Sequence, residues 1–169
     1  MSRKRSRLST ALWVGAELLV FFGVYLGVRA WLQRDMPEGA PPVAELQLID
    51  GRTVRLADYR GRPLLLYFWA SWCGICGLER GVVDDIARDW PVLTVAMQSG
   101  RAEDIRAYLK EHGLDWPVVP DPDGRLAARF GLRGVPAFFV LDPQGRIVAH
   151  ESGYTTEAGL RLRLWLAAQ

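Results

Sequence analysis

The sequence has only two cysteines among its 169 residues, Cys73 and Cys76, and they are three positions apart. A secreted domain that depends on disulfides for its stability usually has more cysteines, at wider spacings. Because no other residue of the chain can form a bridge, this pair is not one structural link among several. Its presence therefore has to be explained by its own chemistry.

Basic residues are scarce in the larger part of the chain. Six of the 21 basic residues lie in residues 1–34, together with one acidic residue, Glu17. Residues 35–169 therefore have 15 basic and 18 acidic groups, a net charge of −3. A nucleic-acid-binding domain needs a basic stripe on its folded surface, so we predict no nucleic-acid partner.

Metal ligands are also few. The two histidines, His112 and His150, are more than 35 residues from the cysteines and do not have the paired spacing of a structural zinc site. The three methionines are scattered, which disfavours a copper site built from them. We predict no metal site and no cofactor.

A long apolar stretch lies near the N-terminus. Leu8 to Leu32 are 25 residues, interrupted by Glu17 and Arg29. As a helix they would span roughly 37 Å, enough for a bilayer of about 30 Å. Four basic residues precede the stretch, and the positive-inside tendency keeps that end in the cytoplasm. Residues 1–34 are therefore predicted to be a basic cytoplasmic tip and a single-pass signal-anchor in the inner membrane, with the remainder in the periplasm.

Two alternatives stay open for this segment. It could be a signal peptide that is cleaved near Val28-Arg29-Ala30, which also leads to export of the remainder. If the anchor is not cleaved, Glu17 lies within the hydrocarbon, where a charge is costly. It would then be either a neutral acid that is tolerated there or a contact with the transmembrane helix of a partner.

The rest of the chain alternates between strand and helix patterns. Residues 35–42 (DMPEGAPP) are predicted to be an extended linker, and residues 43–169 to be one domain. Periodicity and turn residues predict strands at 44–49, 53–56, 64–70, 92–97, 118–119, 137–141 and 146–150. They predict helices at 76–90, 102–112 and 156–168, and a short helix that follows the turn at 121–124 and ends at 130. This order predicts an α/β fold with a mixed central sheet, helices on both of its faces and an N-terminal β-hairpin.

The cysteine pair lies between a predicted buried strand and a predicted helix. At a helix N-terminus, free backbone N–H groups and the helix dipole stabilise a thiolate, which can lower a cysteine pKa from about 8.5 to about 3.5–7.5. Cys73 is then a usable nucleophile, and Cys76, one turn further on, can resolve a mixed disulfide. The alternatives are half of a zinc site or an inert structural disulfide.

Four other residues are candidates for the same site. Glu79 is either a proton donor or acceptor for the cysteines or a solvent-exposed acid. Trp72 is either a substrate-facing ring or a core aromatic. Pro136 is either a cis proline that faces the cysteines, leaving the Val135 backbone free to pair with a substrate strand, or a trans proline at an edge strand.

Two motifs resemble the thioredoxin-like superfamily. The segment Phe68-Trp69-Ala70-Ser71-Trp72-Cys73-Gly74-Ile75-Cys76 is similar to the FWAxWCxxC active-site segment, and Gly134-Val135-Pro136 resembles the cis-proline loop. The anchor, the hairpin and Glu79 resemble the membrane-anchored TlpA/ResA-like branch. Residues 95–100 (VAMQSG) are most similar to suppressor for copper-sensitivity protein D (ScsD-like) oxidoreductases.

The resemblance implies a thioredoxin fold, Cys73 as nucleophile, Cys76 as resolving cysteine and a cis Pro136. It also implies a protein-disulfide oxidoreductase that exchanges disulfides with periplasmic protein thiols, acting as a reductant of their disulfides and kept reduced by a membrane electron-transfer partner. Tyr67 departs from the pattern, because cytosolic thioredoxins have a buried aspartate there. The alternative functions are a disulfide oxidase or isomerase, and a non-catalytic periplasmic copper-binding module.

Overall fold

The structure, a computed structural model, describes residues 3–169, with the side chains of Thr10 and of residues 12–169. The basic side chains before residue 8, on which the predicted membrane orientation depends, lie outside the described part. The chain divides into two compact units, with the boundary between Arg34 and Asp35. We describe each unit by itself.

The first unit consists of one helix, α1, from Arg3 to Gln33. Its segment Leu12–Gln33 has a mean hydropathy of 1.6 and no buried residues. Within residues 3–169, α1 is the one helix that is long and apolar enough to cross a membrane. A signal sequence has the same properties, so anchor and cleaved signal both remain compatible with this helix.

The second unit is an α/β domain with a five-stranded sheet. Its strands are β1 (Glu45–Gln47), β2 (Thr53–Arg55), β3 (Leu64–Trp69), β4 (Val92–Met97), β5 (Val118–Asp121), β6 (Ala137–Leu141) and β7 (Ile147–Ser152). Its helices are α2 (Gly74–Ala87), α3 (Ala102–Glu111), α4 (Arg125–Arg129) and α5 (Glu157–Ala167), and a 3₁₀ turn follows β2. The order in the sheet is β5-β4-β3-β6-β7, with β3, β4 and β5 parallel and with β6 antiparallel to both β3 and β7. The predicted mixed sheet and the β1–β2 hairpin are both confirmed.

Strand β3 lies at the centre of the sheet and is buried along its whole length. Because side chains alternate across a strand, Leu64, Leu66 and Phe68 contribute to one apolar cluster, with the hairpin and α4. Residues 65, 67 and 69 contribute to the cluster on the other face, where α2, α3 and α5 pack. The continuous apolar run of β3 thus reflects a strand that is covered on both faces.

The residues predicted to be an extended linker, 35–42, pack on the domain. Met36 is 6% exposed and belongs to the cluster formed with the hairpin and α4. Gly39 forms a two-way backbone bridge with Ile147, with N···O distances of 2.9 and 2.6 Å. Gly131 has a φ of +67°, and a Cβ there would collide with the backbone of Asp35. This segment therefore packs as part of the second unit.

Helix α2 differs from its prediction at its C-terminal end and on its buried face. Its N-cap is Cys73, which confirms the prediction that Cys73 lies at the helix N-terminus, so the helix begins at Gly74, before the apolar pattern that starts at Cys76. It ends at Ala87 rather than near Trp90. The spacing of apolar residues in the sequence predicts that Leu78 shares the buried face with Val83 and Ile86. In the structure Leu78 is 75% exposed, whereas its neighbour Glu79 is fully buried. Residues 76, 79, 83 and 86, at helical spacing, form the face that packs on the sheet.

The start of α3 also corrects a prediction. Serine and glycine are favoured at helix N-caps, so the sequence predicts that Ser99 or Gly100 caps this helix, but the N-cap residue is Arg101. The Asp104 carboxylate accepts the backbone N–H of Arg101 at 2.8 Å, and so supplies the acceptor of a capping box from inside the helix. Ser99 is therefore free for another role, described below.

Candidate active site

Cys73 and Cys76 form a disulfide at the start of α2, with their Cα atoms 5.3 Å apart. Cys73 is the N-cap residue and is half-buried, while Cys76 lies in the first turn and is 1% exposed. The backbone N–H of Cys76 points at the Cys73 Sγ, with an N···S distance of 3.1 Å. A donor in this position stabilises negative charge on Cys73 when the bridge is reduced, as the helix dipole also does.

The local backbone explains why the first sulfur is the accessible one. Strand β3 ends at Trp69, and a turn closed by the Cys73 N–H to Ala70 carbonyl hydrogen bond (3.2 Å) separates it from α2. The Cys73 carbonyl accepts from the Gly77 N–H at 3.2 Å, which starts the helix. Cys73 therefore lies beyond the carboxyl end of the central strand and is partly exposed, whereas Cys76 faces the core.

Trp72 is 61% exposed beside Cys73, which excludes the core-aromatic interpretation. Its Nε1–H donates to the Gln98 carbonyl oxygen at 3.0 Å. Gln98 has a φ of 48°, and it is the one described residue other than glycine in the left-handed region. That conformation directs its carbonyl toward the indole. The ring is thus held in place although most of its surface is open to solvent.

Ser99 ties the active-site turn to the end of β4. Its hydroxyl accepts the Ser71 N–H at 2.9 Å and donates to the Met97 carbonyl at 3.0 Å. Sequence reasoning assigned no role at the site to Gln98 or Ser99. One feature of the sequence could have indicated such a role. Gln98 and Ser99 follow β4, the active-site turn follows β3, and the carboxyl ends of neighbouring parallel strands lie side by side.

The loop before β6 approaches the disulfide from the other side. The Val135–Pro136 peptide bond is cis, as predicted. The Val135 carbonyl oxygen lies 3.6 Å from the Cys73 Sγ. Pro136 is buried and Val135 is half-buried. The structure therefore brings Trp72, Cys73 and the 135–136 loop together around one sulfur atom.

Glu79 is completely buried, and the solvent-exposed interpretation of this residue was wrong. Its Oε1 accepts the Thr155 N–H at 2.7 Å, whereas its Oε2 has no hydrogen-bond partner among the residues that the structure describes. Burial raises the pKa of Glu79 to about 7, although the bond from Thr155 acts in the opposite direction. A carboxyl group with this pKa can both give and take a proton near neutral pH.

A family model decides the classification of the chain. The AhpC/TSA family matches residues 38–150, which is about two thirds of the sequence. The chain belongs to the AhpC/TSA family.

Among individual AhpC/TSA-like relatives, the chain is 30% identical to a thioredoxin-like protein of Haemophilus influenzae over 156 residues, covering 90% of this chain and 92% of that protein. It is 25% identical to the thiol-disulfide oxidoreductase ResA of Bacillus subtilis over 162 residues, covering 92% and 90%. Among solved structures, the chain is similar to the crystal structure of the pneumococcal exposed lipoprotein thioredoxin Etrx1 from Streptococcus pneumoniae, with a TM-score of 0.62 and 34% sequence identity. The match covers 72% of this chain and 97% of that one. The fold is therefore the thioredoxin fold.

Tyr67 distinguishes the interior of this AhpC/TSA-family domain. Its ring stacks on Phe138 at a centroid distance of 4.7 Å, and its hydroxyl has no hydrogen-bond partner among the described residues. Burial, and secondarily the nearby Glu79 carboxylate, raise the pKa of Tyr67 far above its usual range. Tyr67 therefore stays neutral near physiological pH.

These observations agree on the chemistry of the chain. A CxxC pair, bridged at the N-terminus of a helix in a thioredoxin fold, exchanges disulfides with other thiols. The relatives named above include a thiol-disulfide oxidoreductase. This member of the AhpC/TSA family is a protein-disulfide oxidoreductase.

Proposed function

We propose that the protein is anchored in the inner membrane by α1 and reduces disulfides of periplasmic proteins. Cys73 is the nucleophile, Cys76 the resolving thiol and Glu79 the proton donor and acceptor. The observation that carries this assignment is the difference between the two sulfurs. Cys73 is partly accessible and faces a backbone N–H at 3.1 Å, whereas Cys76 is buried.

The reaction starts from the reduced dithiol. The Cys73 thiolate attacks one sulfur of the substrate disulfide, so that a mixed disulfide forms and the other substrate sulfur leaves as a thiolate, which takes up a proton. Cys76, once deprotonated, attacks the Cys73 Sγ and releases the second substrate sulfur as a thiolate. Two electrons pass from the dithiol to the substrate, and the Cys73–Cys76 disulfide remains.

Glu79 serves the second step. A buried thiol such as Cys76 loses its proton with difficulty, because the core does not solvate the thiolate. Glu79 is one helical turn beyond Cys76 on the same buried face of α2. With a pKa of about 7, it can take the proton from Cys76 and return it when the pair is reduced again.

Trp72, Val135 and Pro136 bind the substrate around the reacting sulfur. The exposed indole offers a flat apolar surface on one side of Cys73. On the other side, the Val135 carbonyl is close enough to the Cys73 Sγ to lie beside the bound substrate backbone. An extended substrate segment would therefore pass between the indole and the 135–136 loop.

The direction of electron flow and the membrane partner follow from the resemblance to the TlpA/ResA-like branch and to its ScsD-like members. In this proposal a membrane electron-transfer protein restores the dithiol after each turnover. Glu17 is an acid on a helix whose neighbouring side chains are apolar and exposed. A contact with that partner's transmembrane helix is the role we propose for it.

The experiment is mixed-disulfide trapping with the full-length protein in its native membrane. Cys76→Ser should accumulate adducts on Cys73 that dithiothreitol releases, because the resolving thiol is absent. The matched control, Cys73→Ser, should accumulate almost none. Equal trapping by both variants, or no trapping by either, would refute the assignment of the two sulfurs.

A second measurement tests the direction. The reduction potential, obtained by equilibration with dithiothreitol or glutathione, should be well below that of strong oxidants, which is about −120 mV. A value near that of the strong oxidants would reverse the proposed electron flow and leave the roles of the two cysteines unchanged.

A further inference from the structure

A groove with a volume of about 540 Å³ opens beside Cys73. It is lined by the active-site turn and the first turns of α2, including Trp72, Cys73 and Arg80. The C-terminal half of α3 and the residue after it complete the lining with Tyr108, Glu111 and His112. The mechanism described above uses only Trp72 and Cys73 of this groove.

Hydrogen bonds hold the guanidinium group of Arg80 in a fixed position in the groove. Its Nε donates to the Gly77 carbonyl at 3.2 Å, and its Nη1 donates to the Tyr108 hydroxyl at 3.2 Å. The guanidinium carbon lies 5.8 Å from the centroid of the Tyr108 ring. These contacts immobilise a half-buried side chain that would otherwise have many rotamers.

No carboxylate among the described side chains forms an ion pair with Arg80, whereas Arg88, the C-cap residue of α2, is paired. Arg88 forms ion pairs with Asp85 at 2.8 Å and with Asp84 at 3.6 Å. The Nη2 of Arg80 has no hydrogen bond in the described part of the chain. A guanidinium that is fixed in place with free donors is suited to bind a carboxylate.

Tyr108 and His112 shape the same subsite. The Tyr108 hydroxyl oxygen accepts from Arg80, so its own proton is available to an incoming acceptor. The His112 ring lies against Tyr108 at a centroid distance of 4.2 Å. Its Nδ1 donates to the Tyr108 carbonyl at 2.8 Å. The histidine therefore supports the tyrosine and, in its neutral form, offers no second donor to an anion.

We propose that this groove binds an aspartate or glutamate side chain of the substrate polypeptide, near the cysteine with which Cys73 reacts. Arg80 forms the ion pair, and the Tyr108 hydroxyl donates a hydrogen bond to the same carboxylate. Glu111, an exposed carboxylate that also lines the groove, opposes this binding and limits its strength. The inference rests on the proposed role of Cys73 as nucleophile and adds a preference for acidic substrates.

The test compares two synthetic peptides whose single cysteine is in a mixed disulfide with a chromogenic thiol. One peptide has glutamate at the positions flanking the cysteine, and the other has glutamine. The reduced full-length protein, in detergent, should react about fivefold faster with the glutamate peptide, as expected for a partly exposed ion pair. Each rate is divided by that of dithiothreitol with the same peptide, which removes the effect of glutamate on the intrinsic reactivity of the disulfide. The preference should fall as salt is added.

Variants of the groove residues test whether the groove causes the preference for the glutamate peptide. Arg80→Gln should reduce the ratio to about one, and Tyr108→Phe should reduce it partly, while Glu111→Gln should increase it by relieving repulsion. Arg88→Gln, a change at the C-cap of α2 and away from the groove, is the control and should leave the ratio unchanged. If Arg80→Gln does not fold, the opposite shifts expected for Tyr108→Phe and Glu111→Gln still decide the question.

Two failures are distinguishable. A wild-type ratio of one, or a ratio that the groove variants do not change, overturns the acidic-substrate inference even if both peptides react rapidly. Failure of the protein to react with either peptide would instead refute the proposed function.

Discussion

Replacing Glu79 by glutamine should remove most of the dependence of stability on pH between mildly acidic and mildly alkaline conditions. The carboxyl is fully buried, and its one hydrogen bond comes from the Thr155 N–H. Glutamine keeps the side-chain volume and the oxygen that accepts this bond, but it cannot ionise. The change therefore isolates the free energy of placing a negative charge in the core.

The magnitude follows from the shift of the pKa from the ordinary value of 4.5 to about 7. At roughly 1.4 kcal/mol for each tenfold change, this shift corresponds to about 3 kcal/mol. Because the folded state binds the proton more tightly, this stabilisation is fully present below the unfolded pKa. It is lost as the pH rises through the folded pKa. Wild-type stability, relative to Glu79→Gln, should thus fall by about 3 kcal/mol between about pH 4 and about pH 8.

The assay is urea unfolding of the oxidised full-length protein in detergent, at a series of pH values, followed by near-UV circular dichroism. Glu45→Gln is a matched control, because Glu45 is exposed on β1 and its removal should leave the pH profile as in the wild type. Parallel profiles for wild type and Glu79→Gln would show that Glu79 does not titrate near pH 7. That result would also remove the physical basis for its proposed role in proton transfer.

Two further predictions concern the segments that pack around the site. Met36→Ala should lower the free energy of unfolding by about 2 kcal/mol, because Met36 is 6% exposed in the core; an unchanged urea midpoint would mean that residues 35–42 contribute no packing. Ser99→Ala should cost about 1 kcal/mol, because it leaves the Ser71 N–H without its 2.9 Å acceptor. Amide hydrogen exchange at Ser71, measured by NMR, should accelerate in this variant, and unchanged protection would contradict the assigned bond.

Several features of the fold could be predicted because their signals are local. The seven apolar residues from Leu64 to Ala70 have few alternatives to a strand covered on both faces, and residues 64–69 form that strand. The Asp142–Gly145 turn separates two strands in the sequence, and β6 and β7 pair across it. Burial and turn geometry at these positions depend mainly on residues nearby in the sequence. The local sequence pattern was therefore sufficient to predict these two features.

The linker was misjudged because nothing periodic marks it. A short segment rich in proline and glycine has the composition of a flexible spacer, and Met36 is its one large apolar side chain. Its position is determined by partners near the other end of the chain, Gly131 and Ile147. Contacts between residues so far apart in the sequence cannot be predicted from the composition of a short segment.

The sequence by itself determined the chemistry of this protein, because two cysteines at that spacing, between a buried strand and a helix, have few other uses. Only the tertiary structure decided the environment of that chemistry. The packing of α2 on the sheet buried Glu79 and exposed Leu78, which reverses the order that hydrophobicity alone predicts. The partner of Glu79 is Thr155, 76 positions away. A buried acid needs a hydrogen-bond donor. The donor here is far from Glu79 in the sequence, so the contact depends on the packing of the whole domain.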